Sequence, residues 1–224
     1  MQSALIVGAG AGLSASLARL FTRHGLRVTL AARDTAKLAA LCGETGATAI
    51  AVDAAQPADV ARLFDAIEAP EIVVYNASAR ARGPFTQLDP ADVARSIGIS
   101  AYGGFLVAQQ AVQRMLPRGA GAILFTGASA SVKGYAQSAP FAMGKFALRG
   151  LAQSLAREFS PQGIHIAHFV IDGGIRSAAR AVPADQPDSL LDPDDIAETY
   201  WHVLNQKRSA WTWEVELRPW VERF

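Results

Sequence analysis

The sequence predicts an α/β fold, in which helices cover both faces of a doubly wound, mainly parallel sheet of seven strands. Short apolar runs alternate with longer amphipathic stretches along the whole chain, which is the pattern of consecutive βαβ units. The apolar runs are rich in Val, Ile and Leu without alternation, as expected for strands buried on both faces. No linker or change of composition divides the 224 residues, so we expect one domain over residues 1–224.

Each element can be placed from the apolar pattern and from the signals at its ends. Gly25 is a C-terminal signal for the first helix, Asp34 or Thr35 can cap the second, and Asp192 precedes a proline at the start of the last. The predicted strands cover residues 3–7, 27–32, 48–52, 71–75, 121–126, 165–171 and 211–217. The predicted helices cover residues 12–24, 35–42, 57–66, 89–115, 138–159 and 193–206.

Charge and composition argue against several classes of partner. Lys and Arg number 21 against 20 Asp and Glu, with no basic segment, so we expect no nucleic acid partner. We also expect no signal peptide and no membrane partner, because no apolar stretch approaches 18 residues. Cys42 is the single cysteine and no Cys/His cluster is present, which predicts a cytoplasmic protein without a metal site.

The first strand ends in a glycine-rich turn that leads directly into an apolar-periodic helix. Glycine lets backbone N–H groups approach a phosphate, and a helix N-terminus adds partial positive charge. The context of strand, turn and helix therefore predicts that the turn holds the diphosphate of a nicotinamide dinucleotide. The residues expected around the diphosphate are Gly8, Gly10, Ala11, Gly12 and Leu13.

Further motifs follow in order along the chain. Gly8 and Gly12 fit a Gly-x-x-x-Gly-x-Gly pattern in which Ser14 replaces the last glycine, and Asn76-Ala77-Ser78 follows the fourth strand. Lys145 lies on the long helix before the sixth strand. With these motifs the sequence resembles the short-chain dehydrogenase/reductase family along essentially its whole length. The resemblance implies a single Rossmann-type domain that binds NAD or NADP, with Asn76, Ala77 and Ser78 in the cofactor site.

The resemblance also indicates which cofactor is preferred. No acid stands at Ala32, where it would bind the ribose 2′-OH of NAD, whereas Arg33 suits the 2′-phosphate of NADP. A solvated Arg33 paired with Asp34 is the alternative. In the family, an aspartate at the position of Asp53, beside Ala54, contacts the adenine, although Asp53 could equally cap the following helix.

The positions that carry proton transfer in the family are changed here. The family places a tyrosine four residues before its lysine, on the same helix face, and a serine thirteen residues before that tyrosine. Here these positions hold Phe141 and Ala128, while Lys145 is kept. The family's helix asparagine aligns with Ser100. Ser129 could replace the missing serine hydroxyl, and further substitutes are Ser131, Ser138, Tyr135 and Tyr102.

The family frames the nicotinamide carboxamide with residues after the sixth strand. Asp172 stands where the family has proline. The resemblance implies that Gly173, Ile175 and Ser177 still contact the carboxamide. Residues 175–192 are short and rich in Ala, Pro and Asp, which predicts a small mobile lid.

The C-terminal segment 211–217 is the most aromatic part of the chain, and strand alternation places Trp211, Trp213, Val215 and Leu217 on one face. Such an edge strand is typical of a subunit interface, and the resemblance implies a homodimer or homotetramer. A face that packs within its own chain is the alternative.

Two functions remain open from the sequence. The first is an NADP-dependent oxidoreductase, with NAD as the other possible cofactor, that acts on a small-molecule carbonyl or alcohol through an atypical catalytic centre. The second is a non-catalytic dinucleotide-binding sensor or assembly subunit.

Overall fold

The computed structural model describes residues 2–221 and contains a seven-stranded sheet with the strand order β3-β2-β1-β4-β5-β6-β7. Every neighbouring pair of strands is parallel, so the predicted doubly wound α/β class is confirmed. The strands are β1 (Ser3–Val7), β2 (Arg27–Ala32), β3 (Thr48–Ala51), β4 (Ile72–Tyr75), β5 (Gly121–Thr126), β6 (Ile164–Ile171) and β7 (Glu214–Leu217).

Helices pack on both faces of this sheet, and two clusters of buried apolar side chains fill the two layers. Asp192 caps the last helix by accepting a hydrogen bond from Asp194 N at 2.9 Å, as its position before a proline predicts. The helices are α1 (Leu13–Arg23), α2 (Ala39–Thr45), α3 (Pro57–Asp65), α4 (Pro90–Ile97), α5 (Gly103–Met115), α6 (Ala139–Phe159) and α7 (Pro193–Leu204). Within residues 2–221, none of the helices combines the length and the apolar character that a membrane crossing requires.

The predicted helix over 89–115 forms one uninterrupted helical run from Pro90 to Met115, but a π-helical turn at Gly98–Tyr102, which was not predicted, lies between α4 and α5. A π turn leaves a backbone carbonyl without its usual helical partner. Tyr75 Oη donates to the carbonyl of Ile99, and Gly103 permits the approach because a Cβ there would lie 2.4 Å from Tyr75 Oη. The contact between β4 and this turn therefore stabilises the π-helical geometry.

The predicted strand over 211–217 is also too long, since β7 begins at Glu214. The Thr212 amide donates to Gln206 Oε1 at 2.8 Å, and the Trp211 ring stacks on His165 at 4.5 Å. These contacts hold the two residues outside the parallel ladder. The predicted helix over 35–42 likewise begins as a 3-10 turn, Ala36–Leu38, and α2 continues to Thr45.

The strand order reverses between β1 and β4, which places a crevice beyond the carboxyl ends of these strands. Ligands of open parallel sheets bind at such a reversal point. The glycine turn after β1 and the Asn76 segment after β4 meet there, so the topology brings together motifs that lie far apart in the sequence.

Candidate active site

The turn between β1 and α1 closes tightly against the segment that follows β4. Gly8 has φ +86°, and a Cβ at this position would lie 2.3 Å from the backbone N of Ala77. Both Gly8 N and Ala9 N donate to the carbonyl of Ala31, at 2.9 and 3.0 Å. Gly10 and Gly12 differ from Gly8, because a Cβ at either would meet nothing within 4 Å. The turn is therefore anchored on one side and open on the other.

Ser14, which replaces the last glycine of the pattern, has a structural role in this turn. Its buried hydroxyl donates to the carbonyl of Gly8 at 3.2 Å and accepts from Asn76 Nδ2 at 2.7 Å. Asn76 N also donates to the carbonyl of Val7 at 2.8 Å. The serine thus connects the first turn of α1 to the end of β4, a link that a glycine could not make.

A cavity of about 270 Å³ lies beyond the ends of β1 to β4. Arg33 and Lys37 line it together, although the sequence analysis singled out only Arg33. Asp53 Oδ1 accepts from Ala55 N at 3.0 Å, so this carboxylate closes the turn before α3 while it also lines the cavity. The predicted residues that line this cavity are Gly8, Arg33, Asp53, Ala54, Asn76, Ala77 and Ser78.

A larger cavity of about 740 Å³ shares two lining residues, Asn76 and Ser78, with the first. The predicted residues that line this larger cavity are Leu13, Asn76, Ser78, Ser129, Lys145, Gly173, Ile175 and Ser177. Gly10, Ala11, Gly12 and Ser100 line neither cavity. The first three of these form the open side of the glycine turn.

Lys145 projects from α6 to the wall of the larger cavity, where it is only 3% exposed. Its Nζ donates to the carbonyl of Thr126 at the end of β5, at 2.7 Å. Burial lowers the pKa of Lys145 to about 7, and the positive charge of Arg80 adds to the effect. At neutral pH the amine therefore exists in comparable amounts of its charged and neutral forms.

Phe141 occupies the cavity wall one helical turn before Lys145, as the spacing on α6 requires. The Arg80 guanidinium stacks over the Phe141 ring at 4.3 Å, and Lys145 Nζ lies 5.9 Å from the same ring centre. Ala128 also lines the cavity. An apolar ring and a methyl group thus face the space beside the lysine.

Three of the substitute hydroxyl groups, those of Ser129, Tyr135 and Ser138, line the larger cavity. The Ser129 hydroxyl is a hydrogen-bond partner of Asp172, which also pairs with Lys133 Nζ at 2.8 Å. Burial alone would raise the pKa of Asp172, but the hydrogen bonds from Lys133 and Ser129 outweigh it and hold the pKa below its usual value. The aspartate that replaces the family's proline is therefore a charged partner for the segment after β5.

The other proposed hydroxyl groups lie away from the cavity. Ser100 is fully buried in the π-helical turn, and its hydroxyl accepts from Ala79 N at 3.2 Å, which indicates a positioning contact for the segment after β4. Tyr102 stacks on Phe105 at 6.1 Å. Ser131 Oγ lies 3.4 Å from His168 Nε2, behind the cavity.

His168 belongs to a buried network of polar side chains. This network resembles a catalytic triad only in its residue types. His168 Nδ1 lies 3.0 Å from Glu214 Oε2, and Glu214 forms a two-point ion pair with Arg149. Burial lowers the pKa of His168 to about 4. Ser131 and His168 are 0% exposed, so these hydrogen-bonded side chains stabilise the β6–β7 junction and cannot reach a substrate.

Residues 175–192, the predicted lid, form two isolated bridges, Ile175 with Leu191 and Ser177 with Arg180. Arg176 pairs with Asp192 at the base of the segment. The segment therefore folds back on itself beside the larger cavity.

Comparison with known proteins places this geometry in a family. A sequence model of the family described as short chain dehydrogenase matches residues 2–186. The chain belongs to the short-chain dehydrogenase family. A crystal structure of a short-chain dehydrogenase from Rhodopseudomonas palustris has a TM-score of 0.84 at 31% identity and covers 98% of this chain and 99% of its own.

Two further proteins are similar to the chain. The cyclic-di-GMP-binding biofilm dispersal mediator protein of Escherichia coli (strain K12) is 35% identical over 193 residues, which cover 83% of this chain and 77% of that protein. An alcohol dehydrogenase from Thermococcus sibiricus, complexed with 5-hydroxy-NADP, has a TM-score of 0.84. At 21% identity, over 100% of this chain and 98% of its own, that likeness shows the shared fold.

Several charged residues of the candidate site were missed by sequence reasoning. Lys37 joins Arg33, and the larger cavity is lined by Arg80, Arg82 and Arg180. The run Ala79-Arg80-Ala81-Arg82, directly after the family's motif at the end of β4, was the available signal for two of them.

Proposed function

We propose that the protein is an NADP(H)-dependent oxidoreductase that interconverts a carbonyl compound and an alcohol at an atypical catalytic centre. The observation that carries the proposal is the position of Lys145, which lines a cavity that shares Asn76 and Ser78 with the one beside the glycine turn. Membership of the short-chain dehydrogenase family supports the oxidoreductase class.

The residues present fit such a cofactor. The open sides of Gly10 and Gly12 at the N-terminus of α1 suit a diphosphate. Arg33 and Lys37 suit a 2′-phosphate, with Asp53 and Ala54 near the adenine. Lys145 would bind the nicotinamide ribose, while Gly173, Ile175 and Ser177 would contact the carboxamide. When bound, the reduced nicotinamide supplies a hydride to the carbonyl carbon.

Reduction also requires a proton for the carbonyl oxygen, and Phe141 has none to give. Lys145 Nζ lies 5.9 Å from the centre of the Phe141 ring, and its pKa of about 7 lets it donate and accept a proton near neutral pH. In our proposal, the ammonium stabilises the developing negative charge on the oxygen. It supplies the proton directly or through a hydroxyl of Ser129, Tyr135 or Ser138.

Turnover tests this function. Purified protein should oxidise NADPH in the presence of at least some members of a broad panel of aldehydes and ketones, with the carbonyl reduced to an alcohol in equal amount. Protein that binds NADPH and reduces none of the panel would contradict the oxidoreductase function.

The Arg33→Ala variant tests the choice of cofactor. We expect its Kd for NADPH to rise about 10- to 100-fold, because a charge-assisted contact to the 2′-phosphate contributes about 1.5–3 kcal/mol. The Kd for NADH should stay within about twofold, since NADH has no 2′-phosphate. Fluorescence titration measures both constants, and Arg23→Ala removes a matched exposed arginine at the end of α1. An equal loss for both cofactors in Arg33→Ala would contradict the assignment.

A second candidate is a non-catalytic dinucleotide-binding protein, which Phe141 and Ala128 favour. The relative named for cyclic di-GMP binding suggests one ligand to test in this case. NADPH at about 100 times its Kd should then stabilise the folded state by about 2.7 kcal/mol without turnover. Reduction of any carbonyl compound with NADPH would contradict this candidate.

We further propose a homodimer or homotetramer in which α5 and α6 form the contact. An apolar groove between these helices is lined by Phe105, Val112, Leu116, Leu151, Leu155 and Phe159. The apolar face of β7 is used within the chain, because Val215 and Leu217 pack against the core. Light scattering should give at least a dimer, and Phe105→Asp should shift it to the monomer. A monomeric unaltered protein at micromolar concentration would contradict this proposal.

A further inference from the structure

The charged side chains among the described lining residues of the larger cavity are all positive. Arg80, Arg82, Lys145 and Arg180 line it, whereas no Asp or Glu is among its described lining residues. These residues come from three separate parts of the chain: the segment after β4, helix α6 and the segment 175–192. The positive charge therefore results from the fold and not from a basic run in the sequence.

The three arginines have no anionic partner within residues 2–221. None of the ion pairs found there includes Arg80, Arg82 or Arg180. Most other arginines of the chain do pair with a carboxylate. Those arginines are Arg19, Arg27, Arg62, Arg95, Arg114, Arg149, Arg176 and Arg218.

Two of these arginines are held in place by local contacts. The Arg80 guanidinium stacks over the Phe141 ring at 4.3 Å. The phenylalanine at the family's tyrosine position therefore stabilises a cation through its aromatic face. Arg180 closes a tight turn with Ser177 through two backbone hydrogen bonds of 3.0 Å, and Gly174 leaves room for its guanidinium, whose Nη1 would lie 2.9 Å from a Cβ there.

The electrostatics agree with a site that lacks its counter-charge. Burial lowers the pKa of Arg80, and the positive charges of Arg82 and Arg180 lower it further. Three guanidinium groups close enough to repel one another are stabilised by an oxyanion that binds between them. Arginine suits this role because its planar group binds carboxylate or phosphate through two parallel hydrogen bonds.

We propose that the larger cavity selects an anionic substrate, an oxo compound that carries a carboxylate or phosphate group, and that Arg80, Arg82 and Arg180 bind this oxyanion. The inference rests on the proposed oxidoreductase function and names its substrate class. The carbonyl carbon of such a substrate accepts the hydride of NADPH and its oxygen accepts the proton, while the oxyanion is unchanged. A substrate held in this way carries its carbonyl toward Lys145.

Matched pairs of substrates test this inference. The pairs are pyruvate with methyl pyruvate and dihydroxyacetone phosphate with dihydroxyacetone, which separate the carboxylate from the phosphate source. We expect kcat/KM for at least one anion to exceed that of its neutral partner by about tenfold or more. Arg80→Gln and Arg180→Gln should each lower the ratio of kcat/KM for that anion to kcat/KM for its neutral partner, by about 10- to 100-fold. Arg157→Gln, which changes an exposed arginine at the far end of α6, should leave this ratio unchanged.

Calorimetry on the same proteins gives a readout that needs no turnover. Pyruvate or dihydroxyacetone phosphate should bind the protein with and without NADP⁺, and Arg80→Gln and Arg180→Gln should weaken that binding. If NADPH fails to bind while an anion still binds through these arginines, the proposed function fails and the anion site stands. If neither anion binds more tightly than its neutral partner, or if the variants weaken both partners equally, the inference is overturned.

Discussion

Replacement of Phe141 by Tyr together with Ala128 by Ser is expected to raise the rate of NADPH-dependent carbonyl reduction by about tenfold or more, because a phenol and a serine hydroxyl would add a positioned general acid to the proton transfer that Lys145 supplies. The Phe141 ring already lines the larger cavity, and Lys145 Nζ lies 5.9 Å from its centre. A hydroxyl on this ring would extend toward the substrate space, and a charged Lys145 would lower its pKa. Ala128 lines the same cavity, so a serine there would add a second donor.

Steady-state kinetics on the double variant and on both single variants would measure this effect. Phe146→Tyr is the matched control, because Phe146 lies on the same helix and is 45% exposed outside the cavity. The control should leave the rate unchanged. A double variant that still binds NADPH and shows no increase would contradict the proposed geometry of proton transfer.

Replacement of Lys145 by Met is expected to lower kcat/KM by about 10²- to 10⁴-fold, since it removes both the proton source and a contact to the cofactor. The rate of reduction by the unaltered protein should fall as the pH rises through about 7, where Lys145 loses its proton. Ser129→Ala, Tyr135→Phe and Ser138→Ala should change the rate less, because each removes at most one relay hydroxyl. A Lys145→Met protein with the activity of the unaltered chain would contradict the assignment.

The same variant is expected to change how folding stability depends on pH. The pKa of Lys145 falls from 10.5 to about 7 on folding, so the unfolded chain binds more protons than the folded chain between these values. The free energy of unfolding therefore rises with pH in this window, by about 2 kcal/mol from pH 7 to pH 9 for this group alone. Lys145→Met should lack that part of the rise.

Urea unfolding of both proteins at pH 7, 8 and 9 would measure the difference. Lys207→Met serves as the control, because Lys207 is exposed and carries no contact to the cavity. The control should keep the full rise. If the free energy of unfolding changed equally with pH in the unaltered chain and in Lys145→Met, this result would contradict the lowered pKa of a buried Lys145.

Much of the fold could be predicted from the sequence because each βαβ unit carries its own local signals. The bounds of β1, β2 and β5 agree with the prediction, since a continuous apolar run and a turn signal define both ends. The π-helical turn at Gly98–Tyr102 could not be predicted in this way. It depends on the contact between Tyr75 and the carbonyl of Ile99, two positions that are 24 residues apart.

The candidate site was predictable where a motif is contiguous and not where side chains converge. The glycine turn and the spacing of Phe141 and Lys145 follow directly from the sequence. The role of Ser14 could not be predicted, because it depends on a hydrogen bond from Asn76, which is 62 residues away in the sequence. The cluster of Arg80, Arg82 and Arg180 could not be predicted either, because it forms only when the fold brings the segment after β4 and the segment 175–192 to the same cavity.

We propose that the turn after β1 holds a nicotinamide dinucleotide and that the site prefers its phosphorylated form. A parallel fluorescence titration of the full chain with NADPH and NADH tests this claim most directly. We expect saturable binding of NADPH, with NADH bound about 10- to 100-fold more weakly because it has no 2′-phosphate for Arg33 and Lys37 to bind. The absence of saturable binding for either dinucleotide would contradict it.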